Sequence, residues 1–246
     1  MSDKYQNNLT LTTVNVSFLE MKKIIQGRYG GIDASIRKEE RRRKLIEAGL
    51  EAFGTIGYAK TTLRTICAIS RLTQRYFYES FTDKEDLLCA VYRALKEEKT
   101  NEAMEVLDDP TANPLEAASM VLGRFLRSFQ QDPRKAQVQF FEILGVSPRI
   151  DREYQDGMKT LADMVKVSLL RIYPSIPEET LDRGILPTAL AGSIMLVSHE
   201  WIMNGFSTPL EDIVAQLMML LNSVGNAVQA PSRKKKPVRI KGQSST

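Results

Sequence analysis

Histidine is almost missing from this chain, with one in 246 residues, and there are only two cysteines and one tryptophan. No His/Cys group has the spacing of a metal framework, so no metal site and no bound cofactor are expected. No nucleophile stands beside a placed base, which leaves an enzyme without catalytic residues. Cys67 and Cys89 are far apart and read as reduced core thiols of a cytosolic protein, with a redox switch as the alternative. Long apolar runs are missing too. The longest, near Ala189–Val197, is broken by Ser193 and closed by Ser198, His199 and Glu200, short of the roughly eighteen residues a membrane span needs. The first residues are polar, without the apolar core of a signal peptide, so the expected location is cytoplasmic and no membrane partner is expected. Nor is there a block of period-two alternation. The fold expected is all-α.

Hydrophobic residues make up 43% of the chain, enough for one large or two small domains. The net charge of +4 conceals a segregation. Residues 1–81 hold 14 Lys/Arg against 8 Asp/Glu, residues 82–230 hold 14 against 22, and the tail 231–246 has six basic residues and no acidic one. Basic ends on an acidic middle suit a protein that offers one part to phosphates and turns the rest away from them.

The most informative stretch is Thr61–Leu88, TTLRTICAISRLTQRYFYESFTDKEDLL. Leu63, Ile66 and Cys67 recur at helical spacing, and Phe77 and Phe81 repeat such a face while Gln74, Arg75, Tyr78 and Glu79 point away from it. Ser70-Arg71-Leu72 between them has room only for a turn, and Thr73 is placed to cap the second helix through its hydroxyl. This is a helix-turn-helix, whose second helix enters the major groove of duplex DNA. Arg suits guanine and Gln suits adenine, each through two hydrogen bonds, and Tyr76 and Tyr78 offer hydroxyls and ring faces.

Those residues resemble the DNA-binding segment of the TetR family of transcriptional regulators. The family pattern is matched at Thr61, Thr62, Ile66, Tyr78, Phe81, Lys84, Glu85 and Leu87, with Leu63, Leu72, Thr73 and Phe77 as near equivalents. The chain departs from it at Tyr76, at Ser80 and at Arg71, where the family usually has Gly. A left-handed residue other than Gly costs roughly 1–2 kcal/mol, so a differently shaped turn is expected there. The expected DNA contacts are Thr62, Arg64, Thr73, Gln74, Arg75, Tyr76, Tyr78, Glu79 and Lys84. Gln74 and Arg75 would mainly specify, and Thr73, Tyr78 and Lys84 would mainly position.

Around this stretch the chain divides as follows. Residues 1–34 read as a flexible extension, holding at most a brief helix at 18–25; Lys22, Lys23 and Arg28 suit a DNA-following arm as well as plain disorder. Residues 35–82 form the DNA-binding domain, its first helix running from a Ser35 cap to Gly54. The segment Gly54–Thr61 has a superficial likeness to a phosphate-binding loop, but Ala59 stands where Gly must precede Lys60, and no strand leads in. Residues 83–230 form the body. It begins with a long helix to about Leu107, capped by Thr82 or Asp83, with Leu87, Leu88, Val91, Leu95, Met104 and Leu107 on its apolar side. Further helices are expected over 114–130, 133–146, 151–172, 178–204 and 209–229. The basic tail 231–246 reads as solvated, with added nonspecific DNA affinity as its functional reading.

The last two helices carry small residues at Gly184, Ala189, Ala191, Gly192 and Ser193, beside more apolar surface than one helix pair can bury. A four-helix bundle with a second copy would bury it, and a homodimer's two-fold axis matches a palindromic operator. The resemblance implies a small-molecule effector held within the body. Phe125, Phe129, Phe140, Phe141, Met158, Leu161, Met164, Met195, Trp201 and Met203 are candidates for an apolar lining, although the same residue types fill ordinary cores. His199 is a polar handle there, a dimer contact or a structural residue. The function implied is a dimeric, ligand-responsive transcriptional repressor. The alternative is an architectural or cell-division DNA-binding protein of the same fold without an effector.

Overall fold

A computed structural model describes the backbone of residues 18–229 and the side chains of residues 34–229. Residues 1–17, the side chains of Lys22, Lys23 and Arg28, and the basic tail lie outside the described residues. Among the described residues every regular element is helical: α1 Phe18–Thr55, α2 Leu63–Ser70, α3 Gln74–Tyr78, α4 Lys84–Leu107, α5 Pro114–Gln131, α6 Pro133–Gln137, a π-helical turn Val138–Glu142, α7 Pro148–Ile172, α8 Glu178–Asp182, α9 Ile185–Met203 and α10 Leu210–Gln229. The all-α architecture is as expected.

The chain divides into two compact units between Lys44 and Leu45. In the first, α1 already runs from Phe18, so Ser35 lies inside a helix rather than at its cap, and residues 18–34 are helical where only a brief helix was expected. Extending a helix costs far less than starting one, so a chain without Pro between 18 and 55 has little to stop it. Ala34–Glu40 are exposed.

The second unit holds the helix-turn-helix and the body. Thr62 caps α2, its hydroxyl accepting from the Thr65 N–H at 3.2 Å. The turn after α2 takes the left-handed conformation despite its side chain: Arg71 sits at φ 57, ψ 33, and the Leu72 N–H closes the end on the Cys67 carbonyl at 3.1 Å. The departure from Gly therefore leaves the shape of the turn unchanged and adds strain. Asp83, not Thr82, caps α4. Its carboxylate accepts from the Asp86 N–H at 2.6 Å, while Asp86 accepts from the Thr82 N–H at 3.1 Å, a reciprocal box that fixes the start of the helix.

Two expected helices are each divided. The one expected over 133–146 becomes α6 followed by the π-helical turn, where Val138, Gln139 and Phe140 are all buried. The one expected over 178–204 breaks at Gly184, which adopts φ 73 and separates α8 from α9. Pro187 gives the reason. It has no N–H to bond back to residue 183 and its ring crowds that carbonyl, so α9 must start within one turn of it. Gly184 is thus a stop rather than a packing spacer.

One cluster joins Ile66, Phe77 and Phe81 of the helix-turn-helix to Leu87, Leu88 and Val91 of α4 and to Ile150 of α7. Met104, expected on the apolar side of α4, is 38% exposed. Cys67 and Cys89 are free thiols, and burial pushes both pKa values up, the opposite of a reactive thiolate. By length and composition α9 alone among the described helices could cross a membrane, contrary to the expectation that no run is long enough. Its composition reflects two apolar sides: Leu190, Met195 and Trp201 are buried, whereas Ile185, Leu196 and Met203 are exposed.

Candidate nucleic-acid interface and effector cavity

The second helix of the motif has only five residues, so its shape depends on what lies behind it. Phe77 and Phe81 are buried with ring centroids 5.7 Å apart, and the Tyr78 ring meets Phe77 edge-on. On the other side Gln74, Arg75, Tyr76, Tyr78 and Glu79 are exposed together. Arg75 has 85% of its side chain accessible, and its Nε donates to Glu79 Oε1 at 3.2 Å. An exposed pair four residues apart contributes only about 0.3–0.5 kcal/mol, little enough to exchange for a base edge.

Three expected contacts have more particular surroundings. Thr73 occupies the N-cap position of α3, but its hydroxyl makes no capping bond, contrary to the expectation; it is exposed at the helix start. Thr62 uses its hydroxyl on α2, and Arg64, two residues further on, is exposed. Lys84 is a latch. Its ammonium donates to the carbonyls of Tyr58 at 2.7 Å and Thr61 at 2.9 Å and lies 4.2 Å from the centre of the Tyr58 ring. Burial lowers its pKa. On the far side of Tyr58, Glu142 Oε2 accepts from the Tyr58 N–H at 2.6 Å, a second tie that the sequence did not suggest. Together these ties fix the α1–α2 connection against both α4 and the π-helical turn.

Further along the same unit, α4, α5, α7, α9 and α10 line a partly open cavity of about 70 Å³. Its walls are largely apolar, including Ala103, Leu122, Phe125, Leu161, Leu190 and Leu221. A smaller cavity adjoins it, and Lys99, Phe125, Leu161 and Met164 line both. Of the eleven residues expected, Phe125, Leu161 and Met164 line both cavities, and Met158 and Met195 line the second.

The other six lie elsewhere. Phe129 and Phe140 are buried in a ring cluster, their centroids 5.2 Å apart, with Phe129 also edge-on to Phe125. Phe141 packs against His199 at 5.3 Å, both half-buried. Trp201 is buried against Phe206, and its Nε1 donates to the Thr208 carbonyl at 2.7 Å, which ties the end of α9 to the next connection. Met203 is 63% exposed. Hydrophobic character alone could not separate wall from core, because both require it.

The polar groups at the cavities were missed altogether. Lys99 is only 9% exposed; its Nζ donates to Gln139 Oε1 at 2.6 Å and lies 3.7 Å from the centre of the Phe129 ring and 4.7 Å from that of Phe125. Burial holds its pKa well below the ordinary lysine value. A signal existed: Leu95, Lys99, Ala103 and Leu107 follow one another at intervals of four, so a lysine interrupts the buried stripe of α4.

The sequence model for bacterial regulatory proteins of the tetR family matches residues 45–91, which cover the end of α1, the helix-turn-helix and the first turns of α4. No curated protein matches the chain. Among solved structures, the fatty acid degradation regulator FadR from Bacillus halodurans superposes with a TM-score of 0.65 at 15% identity, over 74% of this chain and 94% of that one. FadR from Bacillus subtilis, in complex with stearoyl-CoA, does so with 0.61 at 17% identity, over 73% and 96%. SmeT, the repressor of the Stenotrophomonas maltophilia multidrug efflux pump SmeDEF, gives 0.56 at 19%, over 74% and 89%. At these identities the likeness is one of fold. The matched residues carry the DNA-binding motif itself, so over 45–91 the chain has the DNA-binding segment of the tetR family of bacterial regulatory proteins.

Proposed function

We propose that the protein is a dimeric cytoplasmic repressor that leaves a palindromic operator when a small apolar molecule fills the body. One observation carries this reading: α4 takes part in both sites. Its first turns, through Leu87, Leu88 and Val91, lie in the core that supports α3, and Lys99 and Ala103 of the same helix line the cavity. Twelve residues separate Leu87 from Lys99, about 18 Å along a helix. A ligand that shifts the middle of α4 therefore moves the base of the reading helix with it, and differential affinity for the two positions is the thermodynamic requirement for release.

In this reading residues 35–82 are the DNA-binding domain and 83–230 the effector and dimerisation domain. Gln74 and Arg75 meet base edges, and Thr73, Tyr78 and Arg64 meet phosphates. Lys84 acts mainly through the connection it latches. The dimer uses the outer sides of α9 and α10. Ile185, Leu196 and Met203 are exposed there with Met219 and Leu220, and a side chain at Gly192 would meet nothing within 4 Å. Small and apolar residues together on an outer helix face suit close approach of a second copy.

The experiment is selection of bound fragments from the source genome by the full chain, then anisotropy titration of the winner at several salt concentrations, with sedimentation of the complex. The expected result is a palindrome bound by two chains far above competitor DNA. Weak binding of all sequences with a steep salt slope would favour the architectural alternative.

A further inference from the structure

Among the described residues Lys99 forms no ion pair, and Glu98 and Glu102 act on its charge only from a distance. Among the described residues no carboxylate lies within ion-pair distance of its ammonium; its hydrogen-bond acceptor is the neutral amide of Gln139, and the rings of Phe129 and Phe125 flank it. Gln139 is itself 9% exposed, so both groups are largely withdrawn from bulk solvent. An ammonium has three donors, and one is used here. A buried cation without a counter-charge weakens a fold, and a Met or Leu of similar size would fill this place more favourably. The place is also particular, since Lys99 belongs to the wall shared by the two cavities, one of them lined mainly by hydrocarbon. The charged residues that line the two cavities are Lys96, Lys99 and Arg124 against a single carboxylate, Glu102.

We infer that the cavity takes an apolar chain ending in an oxyanion, with the tail among Leu122, Phe125, Leu190 and Leu221 and the head on the Lys99 ammonium. The head supplies a close counter-charge, and Gln139 orients the lysine toward it. This rests on the reading of the protein as a ligand-responsive regulator and adds the class of ligand. A carboxylate and a phosphate monoester share the required chemistry.

The test is calorimetric titration of the full chain with decanoate, decyl phosphate and decan-1-ol, which share a tail and differ in the head. A charge-assisted hydrogen bond in a dry site is worth about tenfold or more in affinity. At least one of the two anions is therefore expected to bind about tenfold tighter than the alcohol, and the tighter one identifies the head. In Lys99→Met that preference is expected to vanish while decan-1-ol still binds, which also shows that the variant has kept its cavity. Lys99→Arg should retain part of it. Equal binding of alcohol and anions by the unaltered chain, a preference that survives Lys99→Met, or no binding of any of the three overturns the inference. Anisotropy with operator DNA separates this from the broader reading: release by the alcohol alone sinks the head-group assignment and leaves the regulator, whereas tight anion binding without release does the reverse.

Discussion

At its two functional stretches α4 supports surfaces built in opposite senses. The helix-turn-helix places polar side chains outward on an apolar back, with Gln74 and Arg75 exposed and Phe77 and Phe81 buried. Around the cavity the order is inverted, with apolar walls enclosing space and one ammonium directed inward. The first arrangement obeys the usual cost of burying polar groups. The second departs from it at Lys99, whose buried ammonium meets a neutral amide and two aromatic rings.

The contrast can be broken most severely from behind the reading helix. Phe77→Ala empties a fully packed site, and the expected loss is about 3–5 kcal/mol, read as a fall in the urea midpoint together with loss of specific DNA binding. A midpoint unchanged within error would mean that α3 does not depend on its apolar back. Arg75→Ala acts on the front. Discrimination between operator and competitor should fall by about 1–3 kcal/mol, the worth of one bidentate base contact. Stability should move by less than about 0.5 kcal/mol, as for other exposed positions. Equal losses on every sequence would make Arg75 a phosphate contact instead.

Arg71→Gly sharpens the comparison with a smaller effect. The left-handed backbone at φ 57 suits glycine, so the variant should gain up to about 1 kcal/mol in thermal or urea unfolding. A loss of stability would show that the Arg71 side chain contributes more than the strain removes. The smallest effect concerns acid. Arg93 brackets the Glu153 carboxylate between α4 and α7, and that hydrogen bonding holds its pKa below the ordinary glutamate value. A carboxyl with a depressed folded pKa adds stability that is fully present above its unfolded value, about 4.3, and is lost as pH falls through the folded one. Glu153→Gln should therefore lower the melting temperature at neutral pH and make its decline below about pH 4.3 shallower. Parallel curves for the two proteins would dismiss the pair as a stabilising contact.

What could be read beforehand follows the same division. The helix-turn-helix was legible because its signals are local: a three-residue turn and phenylalanines four apart, although the cap expected from the Thr73 hydroxyl does not form. The α9 start was equally legible in principle, since Pro187 dictates it, but the surrounding apolar run masked the break at Gly184. The cavity was not. Phe125 and Phe129 are of one type and one turn apart, yet Phe125 lines the open space and Phe129 fills the core behind it. Which of the two faces a void depends on where α7 and α10 pass, and no spacing within α5 records that.

The sequence by itself determined the helices, most of their ends and the polar front of α3, because caps, turns and amphipathic period act over a few neighbouring residues. Only the tertiary structure decided that Lys84 would latch onto Tyr58 and Thr61, and that Lys99 would meet Gln139 forty residues away beside unfilled space. Such pairings depend on how distant helices cross, and crossing is settled by the packing of whole surfaces rather than by any one stretch.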